Sequence, residues 1–210
     1  MPGMFFDVQS INQKRRVCIV VFDEVEVLDF CGPFEVFSVT GGRQGLKPFE
    51  VSTVAERETP VRARGGLSVN PAHSFESCPR PDILLIPGGM GTRREMNNPR
   101  MLQWLRGHAE SAELVLSVCS GALVLAKAGL LNGLEATTHH DALDELRAID
   151  PDIAVDGQKR FIDNGQVIVS AGISAGIDMS LHVVARLLGR EQAIETARYM
   201  EYEWTSNVHR

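Results

Sequence analysis

A chain of 210 residues, 44% of it hydrophobic, is long enough to bury the core of one α/β domain. A formal net charge of −6 excludes a general nucleic-acid-binding surface, and no apolar run approaches the roughly 20 residues that span a bilayer. Cys18, Cys31, Cys78 and Cys119 form no C-x-x-C pair, so neither a disulfide framework nor a zinc site is expected, and a reducing cytoplasm is the expected compartment.

Residues 1–16 carry no periodicity and end in Lys14-Arg15-Arg16; they read as a mobile arm, with 17–204 as a single domain and 205–210 as a tail. Residues 17–22 are a continuous apolar run rich in branched side chains, as a strand buried on both faces should be. Residues 33–39 read as a helix opened by Gly32-Pro33 and closed by Gly41-Gly42. Strands follow at 49–55 and 83–86, the second ending at Pro87-Gly88-Gly89. An amphipathic helix over 99–110 places Met101, Leu102 and Leu105 on one side. The apolar run 114–118 leads to Cys119 and then to a helix over 122–128. A short strand at 136–139 precedes an Asp141 cap and a helix to Ala148. Two strand runs, 161–164 and 167–170, flank Asn164-Gly165, a hairpin signal. Helices over 177–188 and 191–200 end the pattern. Alternating strands and helices with short connections predict a mostly parallel sheet covered on both faces, with some antiparallel pairing at the hairpin.

In such a sheet the loops at the carboxyl ends of the strands converge on one crevice. Ser117-Val118-Cys119-Ser120-Gly121 sits at one of these ends and has the layout of a strained nucleophile elbow with cysteine in the reacting position. A cysteine inside the strand would be inert. At its end, beside Ser120 and Gly121, it is placed to react, and the first amides of the next helix should favour its thiolate. Gly88-Gly89 reads either as a tight turn or as backbone that approaches a ligand, with the Gly89 and Ser120 amides as an anion-stabilising pair. A phosphate-cradling loop is not supported, because its lysine and hydroxyl residue are absent. Asp23, Glu24 and Glu26 read as solvated acids. Asp29 lies between Leu28 and Phe30, and apolar company should raise its pKa and let it hold a proton, unless it caps the helix at Gly32. His139 and His140 are candidates to orient or protonate a bound group, or are structural; Cys31 is a packed small residue or a neighbour of the Asp29 site.

Five segments together resemble the ThiJ/PfpI superfamily, within the class I glutamine amidotransferase-like fold. They are Leu28-Asp29-Phe30-Cys31-Gly32-Pro33, Ile86-Pro87-Gly88-Gly89, Val118-Cys119-Ser120-Gly121, Ala136-Thr137-Thr138-His139 and Ala171-Gly172-Ile173-Ser174-Ala175-Gly176-Ile177-Asp178. The resemblance is strongest to the isonitrile hydratases and to the ligand domains of AraC-type regulators. It implies a flavodoxin-like three-layer sandwich and a homodimer, with no cofactor and no metal. It makes Cys119 the nucleophile and Asp29 its acid partner, with Ser120 where that group carries a threonine important for activity. The implied reaction is hydration of an isonitrile to an N-substituted formamide. Alternatives within the resemblance are a non-catalytic ligand-binding or redox-sensing module, and hydration of a 2-oxoaldehyde. Ser120, Cys31 and His140 depart from the residues usual at their positions. The late His-x-Glu pair of the amidotransferases and the histidine that follows the cysteine in the peptidases are both replaced here. The sequence to Arg210 leaves no room for a helix-turn-helix domain, so no nucleic-acid partner is expected.

Overall fold

The structure, a computed structural model, describes residues 14–204. The branched apolar run near the start forms β1 (Arg15–Val20), followed by α1 (Val27–Val39), β2 (Phe49–Ala55), three two-residue strands, β3 (Val61–Arg62), β4 (Ser68–Val69) and β5 (His73–Ser74), and β6 (Ile83–Ile86). Then come α2 (Thr92–Glu95), α3 (Pro99–Ala109), β7 (Leu114–Val118), α4 (Gly121–Lys127), β8 (Glu135–Ala136), α5 (Leu143–Ile149), β9 (Ala154–Val155), β10 (Phe161–Asp163), β11 (Val167–Ser170), α6 (Ala175–Leu188) and α7 (Arg190–Tyr199).

Seven strands make the central sheet in the order β10-β11-β7-β6-β1-β2-β5. All neighbours are parallel except β10 and β11, which pair antiparallel with Ile162 opposite Val169. Val17 to Val20, Ile83 to Ile86 and Leu114 to Val118 are buried throughout, as strands covered on both faces must be. Helices α1, α6 and α7 pack on one another against the sheet, and α4 packs on β6 and β7 with α2 and α5 beside it. The α/β sandwich expected from the sequence is therefore the observed architecture.

Three expectations are corrected. The basic pair Arg15-Arg16 belongs to β1 instead of an arm; the rest of that arm, residues 1–13, and the tail 205–210 lie outside the described residues. Helix α1 begins at Val27, so Pro33 sits inside it instead of opening it. The proline has no amide to return to residue 29, a loss of about 3 kcal/mol in a free helix. Burial of Phe30, Val36 and Phe37 in the core holds the helix through that defect. The strand expected at 136–139 is only β8; it pairs with β9 outside the main sheet, and residues 137–139 are loop.

Candidate active site around Cys119

Strand β7 ends at Val118 and α4 starts at Gly121, so the chain reverses within two residues. Cys119 takes φ +58°, the left-handed region that side chains with a Cβ seldom adopt. Its amide is held by the carbonyls of Ser170 (3.2 Å) and Ala171 (3.1 Å) at the end of β11. Its own carbonyl receives the Thr138 hydroxyl at 2.7 Å. The turn closes because residue 121 is glycine: a Cβ there would lie 2.2 Å from the Ile86 carbonyl oxygen. The strained elbow expected from the sequence is present.

Asp29 reaches this elbow from the first turn of α1 and is fully buried. Its Oδ2 accepts the Gly88 amide at 2.9 Å, while Oδ1 has no partner of full hydrogen-bond geometry. Gly88 keeps the two groups together, since a Cβ on it would come within 2.8 Å of both Asp29 Oδ2 and Cys119 Cβ. Burial raises the Asp29 pKa to about 7, against the opposing pull of the Gly88 amide and the Cys119 thiol. The expectation of a helix cap at Gly32 is set aside, because Asp29 lies inside α1 and is committed to the Gly88 loop.

The electrostatics of Cys119 correct the sequence reading. Burial pushes the thiol up to about 12, with the Asp29 charge next in importance, and the Ser120 amide and hydroxyl pull the other way. Helix α4 has seven residues, and its amides are outweighed by desolvation and by the carboxylate. The carboxyl, raised to about 7, loses its proton first, and its charge then helps to hold the proton on the thiol.

The expected anion-stabilising pair of amides is also only half present. The Ser120 amide acts on the sulfur. The Gly89 amide is taken up by Ser120 Oγ at 3.1 Å, and that hydroxyl donates to the Gly89 carbonyl and receives Thr92 Oγ1. Ser120 thereby ties the elbow to the 87–91 loop. Gly89 has φ +124° and its backbone bridges to Val25, which closes the loop against the first crossover.

A cavity of about 180 Å³ opens over Cys119 and Ser120, and its other walls include Glu26, Arg64, Gly89, Met90, Arg93, His139, Asp141 and Ile173. His139 packs edge-on against Gly172, where a Cβ would meet its ring at 2.3 Å. Burial and the neighbouring His140 lower its pKa. Its Nδ1 accepts the Asp141 amide at 3.2 Å and caps the single 3-10 turn at His140–Ala142; the expected Asp141 cap is not formed, since α5 starts after Ala142 without a side-chain cap. His139, His140 and Asp141 have ligand atoms within 4.8 Å of one another, the one such group among the described residues; His140 and Asp141 are exposed. Cys31 is not on the cavity wall: two residues beyond Asp29 on a helix, its side chain points to another side, and burial raises its pKa.

Sequence reasoning missed Glu26, Arg64 and Arg93. Glu26 read as a solvated acid, yet it lies opposite Arg64, Oε2 to Nε 3.7 Å. Arg64 arrives on the segment joining β3 and β4, pinned by its amide to the Val25 carbonyl at 2.9 Å. Arg93 is held by Glu145 at 2.6 Å. No local pattern announces contacts so far apart in the chain.

A family model described as DJ-1/PfpI matches residues 15–186. The chain is 35% identical to isonitrile hydratase of Pseudomonas putida over 190 residues, 89% of this chain and 78% of that protein. It is 34% identical to the HTH-type transcriptional regulator CdhR of Pseudomonas aeruginosa, over 77% of this chain, and spans about half (51%) of that regulator. A solved THiJ/PfpI family protein from Pseudomonas syringae superposes with a TM-score of 0.82 at 29% identity, covering 100% of this chain and 84% of that one.

Proposed function

Because this chain belongs to the DJ-1/PfpI family, we propose that it hydrates a small isonitrile to an N-substituted formamide, with Cys119 as nucleophile and Asp29 as proton carrier. The observation that supports this most directly is a buried carboxyl with an unpartnered Oδ1 acting on a strained thiol at the floor of a cavity. The relative at 35% identity whose name carries that activity supports the same reading.

Once the pair has lost one proton, the reactive arrangement is thiolate beside carboxylic acid. Sulfur attacks the terminal isonitrile carbon while Asp29 delivers its proton to that carbon, giving a thioimidate. The Asp29 carboxylate then takes a proton from water as its oxygen adds to the same carbon. The hydroxyl proton passes to the nitrogen as the carbon–sulfur bond breaks, and the formamide leaves with the thiolate and the protonated Asp29 restored. Two steps of lower barrier replace one difficult addition. The Ser120 amide steadies the sulfur, and Ser120 Oγ holds the Gly89 loop in place. No cofactor or metal enters this scheme, and a homodimer is the assembly that goes with it.

Turnover of an alkyl isonitrile, followed by formamide production, tests the proposal. Cys119→Ala and Asp29→Asn should each lose at least about 100-fold in kcat/KM, the usual scale for removing a nucleophile or general acid. Formamide production retained by Cys119→Ala refutes it. A second reading, ligand binding without turnover, is favoured by the resting thiol held at about 12 and by the regulator relative. Tight isonitrile-independent binding with no turnover of isonitrile or 2-oxoaldehyde would establish that reading instead.

A further inference from the structure

Away from the cavity the fold brings two cysteines together that are 60 residues apart in sequence. Cys18 is fully buried in β1. Cys78 lies half-buried in the connection between β5 and β6. Cys78 Sγ donates to Cys18 Sγ at 3.5 Å and lies 3.4 Å from the Pro79 carbonyl oxygen. On the other side Cys18 Sγ faces Ser52 Oγ at 3.7 Å, across the parallel register that sets Cys18 beside Ser52. The turn carrying Cys78 is knotted by Ser74 and Ser77, each amide bonded to the other's hydroxyl, and the Cys78 amide returns to the Ser74 carbonyl at 2.9 Å. The contact is thus built from both sides.

We propose that Cys18 and Cys78 are a redox-active dithiol that a peroxide converts to an intramolecular disulfide. All four cysteines are free in the structure, so the reduced form is the one described here. Hydrogen bonds from Cys78 and Ser52 and the charge of Arg16 outweigh burial and pull the Cys18 thiol below its usual range, while its hydrogen bond to Cys18 and burial push Cys78 up. The half-buried Cys78 is the sulfur that a small peroxide reaches. Cys78 sulfur attacks one peroxide oxygen, the O–O bond breaks, sulfur is oxidised to a sulfenic acid, and the other oxygen takes the Cys78 thiol proton and leaves as water. Cys18 sulfur then attacks Cys78 sulfur: the S–S bond forms, the S–O bond breaks, and the departing oxygen takes the Cys18 proton and leaves as a second water. Two thiols and one peroxide become one disulfide and two waters. The sulfurs must close from 3.5 Å to about 2.05 Å, a movement the surface turn at Cys78 can supply.

The test treats the intact protein and a Cys119→Ala variant with hydrogen peroxide, alkylates under denaturing conditions without reductant, and maps the peptides. The Cys119→Ala background removes oxidation at the cavity. The expected result is loss of alkylation at Cys18 and Cys78 together, Cys31 still alkylated, and a reducible peptide pair joining the two. That protein should run as a single chain in a non-reducing gel and lose the mass of two hydrogens. Cys78→Ser should leave Cys18 alkylatable after the same treatment, and circular dichroism of that variant checks that the fold persists. Cys18 and Cys78 that both stay alkylatable, separate sulfinic acids, or a disulfide between two molecules would each overturn the proposal.

Discussion

In the proposed reaction Asp29 carries the proton, and its burial also ties the stability of the fold to pH. Its pKa rises from 3.8 to about 7 on folding. The folded protein thus keeps a proton that the unfolded chain has already released, and stability falls as pH rises through that window. The decline from pH about 4 to about 7 should be on the order of 4 kcal/mol, constant above it. Asp29→Asn should flatten that dependence and make the protein more stable than the wild type above pH 7, as read by urea unfolding at several pH values. A parallel decline in the variant would show that another group titrates. The same substitution removes the charge that helps raise the thiol, so Cys119 alkylation in Asp29→Asn should begin at a lower pH than in the parent. The position of Asp29 between Leu28 and Phe30 announced the raised acid in the sequence. The raised thiol was not announced, because it follows from burial and from a carboxylate 90 residues away in the chain.

At the level of elements, the strand–turn–helix around Cys119 was legible from an apolar run, a reactive residue and a glycine. Its tolerance is narrow. Gly121→Ala would set a methyl against the Ile86 carbonyl oxygen and should destabilise by about 1–3 kcal/mol, the scale of overpacking. Differential scanning calorimetry reads this directly, and an unchanged melting temperature would mean that the turn can shift freely. Ser120→Ala would release the Gly89 amide and Thr92 hydroxyl from their shared partner. It should lower kcat while leaving Cys119 alkylatable, since the sulfur's support comes also from the Ser120 backbone. Helix α1 departs most from its local sequence signals. Gly32-Pro33 carries a local start signal, and the buried face from Phe30 to Phe37 overrode it.

For the whole molecule, the candidate site is a product of topology. The parallel sheet sends the loops after β1, β6 and β7 to one edge, and the β3–β4 segment folds over them. A cavity of about 180 Å³ is small beside ordinary ligand pockets of roughly 300–1,000 Å³. Compact alkyl isonitriles should accordingly exceed bicyclic aryl ones in kcat/KM by about 10-fold or more, and equal values would place the reaction elsewhere. Among the described residues no helix is long and apolar enough to cross a membrane. The order of strands and helices, the elbow and the unusual acid were determined by the sequence alone, because each rests on neighbours within a few residues. The cavity walls at Arg64, Arg93 and Glu26, the capture of the Gly89 amide by Ser120, and the meeting of Cys18 with Cys78 were decided only by the tertiary structure. These contacts depend on strand order and crossover geometry, which bring together residues that no local pattern connects.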